Sequence, residues 1–192
     1  NGKEHLLVDS IETRGDSVFI QMPFFESGFN AKITKNGNLR GVWIKRYGKA
    51  VQSLPFYALH DQSNRFEVSA SPIVNISGKW SANFVSKNKN NNRISKLVGE
   101  FSQKESYLTG TFRDPTGDYR FLEGVVSGDS LKLSAFDGSH AFLFTAKIDN
   151  DHKISGGKFY SGARGTEEWT AEKNDKADLP DEFSETRLKP NA

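Results

Sequence analysis

The sequence predicts an all-β protein whose strands form an antiparallel up-and-down meander that closes as a barrel. Three observations predict it. First, the stretch from Gly110 to Ile148 holds four runs of alternating apolar residues separated by turn chemistry. Alternation every second residue describes strands buried on one side, and turns this short force neighbouring strands to run antiparallel. Second, the chain carries an internal repeat: Gly15-Asp16-Ser17 parallels Gly128-Asp129-Ser130, Ala31-Lys32-Ile33 parallels Ala146-Lys147-Ile148, and Leu39-Arg40-Gly41 parallels Ile154-Ser155-Gly156. Phe56-Tyr57-Ala58 likewise matches Trp169-Thr170-Ala171, so anchors recur in one order at nearly one offset. Third, 15 Phe, 5 Tyr and 3 Trp supply residues that favour strands and dominate burial.

In chain order, residues 4–13 and 18–24 read as strands around a turn at 14–16. Pro23, which cannot donate to a ladder, marks an edge, a bulge or a strand end. A hairpin over 29–34 and 39–45 turns at Asn36-Gly37. Trp43, flanked by Val42 and Ile44, makes its strand apolar on both faces, as in a central strand or one packed on the second copy. Residues 47–53 read as a polar connection, and 54–59 and 65–68 as short strands. Ala70-Ser71-Pro72 breaks the pattern.

The second copy opens at Ile76. Its strands are expected at 79–85, 95–103, 106–113, 119–126, 130–136, 140–148, 154–160 and 166–172, with the Asn-rich 88–92 as an exposed hairpin loop. Eight antiparallel strands suffice to close a small barrel and so remove exposed edges. Residues 1–173 are therefore read as one β-barrel-like domain built from an incomplete unit, 1–70, and a complete one, 76–173. The first unit lacks a counterpart of 76–118. Residues 174–192, charged and holding Pro180 and Pro190, read as a linker or tail.

Net charge is +2, from 26 basic and 24 acidic residues intermixed along the chain, which gives no field arguing for nucleic acid or an anionic membrane. The chain has no cysteine, which excludes disulfides, thiolate metal sites and thiol catalysis of its own and suits an oxidising compartment. No run reaches the length of a transmembrane helix, and no signal-peptide pattern is present, so an exported form would already have lost its leader.

Among local motifs, Gly78-Lys79-Trp80 resembles the Gly-x-Trp of the first strand in lipocalin-type and avidin-type barrels, where the Trp plugs one end. Asp114, Asp118 and Glu123 lack the alternating ligands of a calcium loop and read as turn chemistry, as does Asp149-Asn150-Asp151. His5, His60, His140 and His152 lack metal spacing, and no serine elbow or phosphate loop is present. His140 shares a strand face with Phe142 and Phe144. With Arg120, Tyr160 and Trp169 it forms a candidate ligand site at a barrel mouth, weighed against a hydrogen-bonded structural histidine. No catalytic residue, metal site or cofactor is assigned.

A longer likeness is carried by Thr111-Phe112, the run from Pro115 to Gly124, the run from Phe136 to Ala146, and Phe159-Tyr160-Ser161-Gly162. Leu6 to Ile11, Gly15 to Phe19 and Ala177 to Asp181 extend it. These segments resemble the portion preceding the thioredoxin fold in exported thiol-disulfide reductases of Bacteroidetes-type bacteria, the redoxin or alkyl-hydroperoxide-reductase/thiol-specific-antioxidant family. The resemblance implies a parent oxidoreductase in the periplasm or cell envelope, a thioredoxin-like domain following the C-terminus, and a chain that extends beyond both ends. The family's Cys-x-x-Cys has no match here, so no catalytic residue carries over.

The expected function is a non-catalytic scaffold or docking domain of such an oxidoreductase. The alternative is a stand-alone barrel holding a small apolar ligand, which would need a continuous internal cavity. A third reading is an enzyme acting through His140 and a nearby carboxylate.

Overall fold

The computed structural model describes residues 6–88, 91–119, 121–163 and 165–179. The first five strands are β1 (Ile11–Arg14), β2 (Ser17–Gln21), β3 (Ser27–Ile33), β4 (Leu39–Tyr47) and β5 (Ala50–Ala58). They pair antiparallel in chain order as an open sheet. The remainder are β6 (Gly78–Asn88), β7 (Asn91–Lys104), β8 (Tyr107–Asp114), β9 (Gly117–Asp118), β10 (Leu122–Ser127), β11 (Ser130–Phe136), β12 (Ala141–Asn150), β13 (Lys153–Ser161) and β14 (Gly165–Lys173).

In this second group each strand pairs antiparallel with its neighbour, β14 pairs back onto β6, and β8 pairs with β10. The result is a closed, eight-stranded up-and-down barrel. The two-residue β9 folds back on the end of β8. The barrel is closed by the second unit alone, and the first unit stands beside it as a separate sheet. Residues 65–68, expected as a strand, form none. Of the first predicted strand, residues 6–10 form none, 11–13 belong to β1, and 4 and 5 lie outside the described residues; residues 50–53, read as a connection, already belong to β5.

The two units share more than sequence. Strands β1–β5 and β10–β14 follow in the same order, and their Gly-Asp-Ser turns make the same bonds. Gly15 and Gly128 have φ of 60° and 58°, the left-handed region that glycine occupies without a Cβ penalty. Ile33 N–H donates to the Asp16 carbonyl at 2.7 Å, and Ile148 N–H to the Asp129 carbonyl at 2.7 Å. Lys32 pairs with Asp16 and Lys147 with Asp129, at 3.2 and 3.6 Å. What differs is closure: β6 to β9 bridge β14 to β10, and nothing among the described residues bridges β5 to β1. Ile33 is accordingly 41% exposed, whereas Ile148 is 0% exposed.

Alternation explains the barrel core. Trp80, Phe84, Phe112, Leu131, Leu133, Phe144, Ile154 and Trp169 point inward and are at most 1% exposed. Rings meet across the barrel, where Phe112 lies on Phe144 with centroids 5.0 Å apart, and between paired neighbouring strands, Phe144 on Phe159 at 4.4 Å and Phe84 on Trp169 at 5.7 Å. Each such pair adds roughly 0.5–1.5 kcal/mol beyond area burial. Gly157 is glycine for this reason, because a Cβ there would sit 2.5 Å from the Trp169 indole.

One barrel end is shut. Residues between β5 and β6 strap the outer wall, where Arg65 donates to the Ser134 carbonyl at 2.9 Å and Ser69 N–H to Ser127 Oγ at 2.9 Å. They then turn under the barrel, where Trp80 Nε1–H donates to the Ile76 carbonyl at 2.9 Å and Ile76 is fully buried. Lys173 donates to the Ser77 carbonyl and lies over the Trp80 ring, 5.2 Å from its centroid. Residues 174–179, expected to leave the domain, stay against it: Asn174 N–H donates to the Lys79 carbonyl at 3.0 Å, and Ala177 is buried.

The N-terminal sheet docks at the other end. Phe136, closing β11, touches Phe29 and Trp43, while the β11–β12 turn takes two bonds from the sheet. Ser27 Oγ–H donates to the Gly138 carbonyl and Lys45 Nζ to the Ser139 carbonyl at 2.6 Å. Trp43 thus sits in a central strand and also packs against the second unit.

Candidate functional site

Strand direction assembles the open end of the barrel from the β8–β10 connection, the β11–β12 turn, the β13–β14 turn and the first residues of β12 and β14. A pocket of about 440 Å³ lies there. Asp114, Tyr119, Phe121, Asp137, His140 and Phe142 are among its lining residues. That size falls within the range of small-molecule sites.

The β11–β12 turn fixes the histidine. Asp137 Oδ1 accepts N–H bonds from Ser139 at 2.7 Å and His140 at 2.5 Å, an Asx-type turn that polar residues at this spacing favour. The other carboxylate oxygen lies 2.8 Å from His140 Nδ1. The imidazole also stacks on Phe142, with centroids 5.3 Å apart and planes 18° from parallel. Held at Nδ1 and along one face, the ring keeps Nε2 as its remaining polar atom. Burial acts to raise the Asp137 carboxyl, and the hydrogen bonds from His140 and Ser139 outweigh it, so the group lies below the usual aspartate range.

Tyr119 stands where the polar rim meets the aromatic core. Its ring meets Phe142 at 5.2 Å, Phe144 at 5.5 Å and Phe159 at 5.2 Å, each edge-on. Burial, with the carboxylates of Asp114 and Glu167 nearby, pushes the phenol up to about 12, so it remains a donor at neutral pH. Glu167 pairs across the ladder with Phe159 and therefore points inward, just above Trp169. Asp114 accepts two bonds from Thr116, one backbone and one hydroxyl, both at 2.6 Å. Among the described residues no hydrogen bond reaches the Tyr119 hydroxyl or the Glu167 carboxylate.

The expected site residues are only partly brought together. His140 and Phe142 line the pocket, and Phe144 lies beneath them, fully buried. Trp169 is deeper in the plug, 1% exposed, with Nε1 unpaired among the described residues. Tyr160 pairs with Leu143 and Thr166, one residue out of phase with inward-facing Phe159, and so belongs to the outer wall. Arg120 lies outside the described residues.

Sequence reasoning missed Tyr119, Asp137 and Glu167. For Glu167 the signal was present: it is a carboxylate two residues before a buried Trp, on the same strand face. The described residues hold no group of three or more His, Asp or Glu placed to ligate a metal, and no helix long and apolar enough to cross a membrane. No family model, curated protein or solved structure matches this chain.

Proposed function

We propose that this chain is a non-catalytic accessory unit of an exported thioredoxin-like thiol-disulfide oxidoreductase, acting in the periplasm or cell envelope as a scaffold or docking surface for a redox domain that follows it. The redox assignment rests on the segments that resemble such reductases, above all the runs Pro115 to Gly124 and Phe136 to Ala146. The observation that carries the scaffold half is the filled interior. Phe84, Phe112, Phe144, Phe159 and Trp169 occupy the barrel axis and are 0–4% exposed, which supports a barrel filled by its own side chains, as a scaffold requires, over one that holds an apolar ligand inside. The likeness to lipocalin-type or avidin-type barrels belongs to the same proposal and rests on Trp80 sealing the closed end.

Absence of cysteine confines this chain to a supporting role in thiol exchange. The test is a peptide map with thiol alkylation of the protein isolated from its source. An alkylated Cys-x-x-Cys peptide on the same polypeptide is the expected result. A polypeptide without one overturns the assignment.

A further inference from the structure

Independently of that reading, the tip of the β3–β4 hairpin presents a site of covalent change. It carries the pair Asn36-Gly37, with the Asn36 side chain exposed to water. In such a pair the Gly37 backbone nitrogen, unhindered by a side chain of its own, can attack the Asn36 side-chain amide carbon. A cyclic imide forms, the bond from that carbon to the side-chain nitrogen breaks, and the proton shed by the Gly37 nitrogen leaves with ammonia. Water then opens the imide at one carbonyl or the other, which gives aspartate or isoaspartate at position 36. The balance needs only water.

The fold controls the nucleophile. Gly37 N–H donates to the Thr34 carbonyl at 2.9 Å, and Thr34 N–H donates to the Asn38 carbonyl at 2.8 Å. Gly37 itself has φ of 77°, the left-handed residue that completes a hairpin turn of this kind. While its N–H stays bonded to Thr34, the Gly37 nitrogen is not free to lose that proton and swing onto the Asn36 side chain. Attack therefore waits for the turn to open.

A second segment holds the turn from outside. The chain leaving β5 returns to the hairpin, where His60 N–H donates to Asn38 Oδ1 at 2.9 Å. The imidazole lies against Gly37 so closely that a Cβ there would come within 3.2 Å of the ring. Its Nδ1 lies 3.1 Å from Asp61 Oδ2, which steadies the ring from its own side of the joint.

We propose that Asn36-Gly37 is a deamidation site whose rate is set by opening of the β3–β4 turn, and that His60, through Gly37 and Asn38, holds that turn shut. The two products differ in consequence. Aspartate at position 36 suits the same turn. Isoaspartate lengthens the main chain by one carbon inside the loop that the Thr34 and Asn38 groups close, and so loosens the neighbouring Ile33–Leu39 pair.

The test incubates the 192-residue chain at pH 8 beside a linear peptide of residues 33–40. Peptide-resolved mass spectrometry follows position 36, and chromatography separates the aspartyl from the isoaspartyl product. The folded chain is expected to accumulate both products about tenfold more slowly than the peptide, because the hydrogen bonds at the turn must break first. His60→Ala and Asn38→Ala should each speed the chain by about threefold, whereas Asn38→Ala in the peptide leaves its rate as it was. Amide exchange at Gly37 should quicken in step with deamidation in both variants. His60 is exposed, and urea midpoints confirm that the variants remain folded.

Equal rates in chain and peptide would overturn the control by the turn. Rates unchanged in both variants would overturn the role of His60. Deamidation of the chain confined to asparagines other than Asn36 would overturn the site itself.

Discussion

Phe136 of the barrel meets Trp43 of the N-terminal sheet edge-on, with ring centroids 5.8 Å apart and planes at 82°. This contact is the centre of the joint between the two units. Phe29 flanks it at 5.6 Å, and the bond from Lys45 to the Ser139 carbonyl extends it toward the candidate site. Because Ser139 neighbours both His140 and the Asp137 turn, the sheet braces the loop that carries the histidine.

Lys45 makes the joint testable. Its side chain is buried, with the ammonium satisfied by the Ser139 carbonyl and lying 4.2 Å from the Tyr47 ring centroid. Lys45→Met keeps the length of the side chain and removes the donor. The expected cost is about 1–3 kcal/mol, since the bond involves a charged donor. Hydrogen exchange should quicken in β3, β4 and the β11–β12 turn, while β6, β7 and β14 keep their protection. Uniform quickening across the barrel would show that the joint is not a local element.

The filled barrel predicts a different response from the core. Phe112 touches Phe84, Phe101, Phe144 and Trp169 by ring contact and is fully buried. Phe112→Ala should cost about 3–5 kcal/mol in urea unfolding, the transfer loss of the ring plus the cavity left behind. The vacated space is lined by rings, so benzene at millimolar concentration should restore part of the lost stability. No restoration would mean that the interior collapses around the missing ring.

The architecture was largely legible in the sequence, because single-sided burial and short turns write themselves as alternation and Gly/Asn/Asp clusters. The Gly15-Asp16-Ser17 and Gly128-Asp129-Ser130 anchors even located the repeat now seen in matching hydrogen bonds. Segments without that signature were not legible. Residues 65–68 look strand-like because Phe66 and Val68 alternate, yet they strap the barrel through Arg65 and Ser69, a tertiary choice that local pattern does not encode. The common face of His140, Phe142 and Phe144 was legible, because alternation along one strand writes it. The outward placement of Tyr160 was not, because it depends on a register shift in β13 between Ile154 and Gly157, where the ladder slips before Phe159 turns inward. Asp137 was hidden because its partner lies three residues on through a turn, not along a strand.

At the closed end, Trp80 is expected to act through its indole N–H as well as its bulk. Trp80→Phe leaves the Ile76 carbonyl without its donor and the Lys173 ammonium over a smaller ring. A loss of about 1–3 kcal/mol is expected from the unsatisfied carbonyl, with further loss from the reduced volume. Gln103 Oε1, which accepts the Ile76 N–H at 2.9 Å, provides an independent check. Gln103→Leu should loosen the same segment, seen as faster exchange at Ile76 and Ser77. Unchanged exchange in both variants would show that the plug is held by shape alone.

The Asp137–His140 pair gives the acid limb of stability a defined sign. The Asp137 carboxyl is held below its unfolded value despite burial, because His140 and the turn amides favour the ionised form. The folded state therefore binds fewer protons than the unfolded state in this range. The contribution is present above the unfolded carboxylate value, about 3.9, and is lost as pH falls through the lower folded value. In Asp137→Asn the amide oxygen can still accept from Ser139 and His140, so the turn persists while the charge is gone. The variant should be less stable than the parent chain at pH 5, and the gap should narrow by pH 3, below the unfolded carboxylate value, where the parent's unfolded state takes up the proton that the native carboxylate resists. The pair is about half exposed, so solvent screening keeps the gap small. Urea midpoints at the two pH values decide it: a gap as wide at pH 3 as at pH 5 would assign the effect to turn geometry and remove the ionised pair from the account.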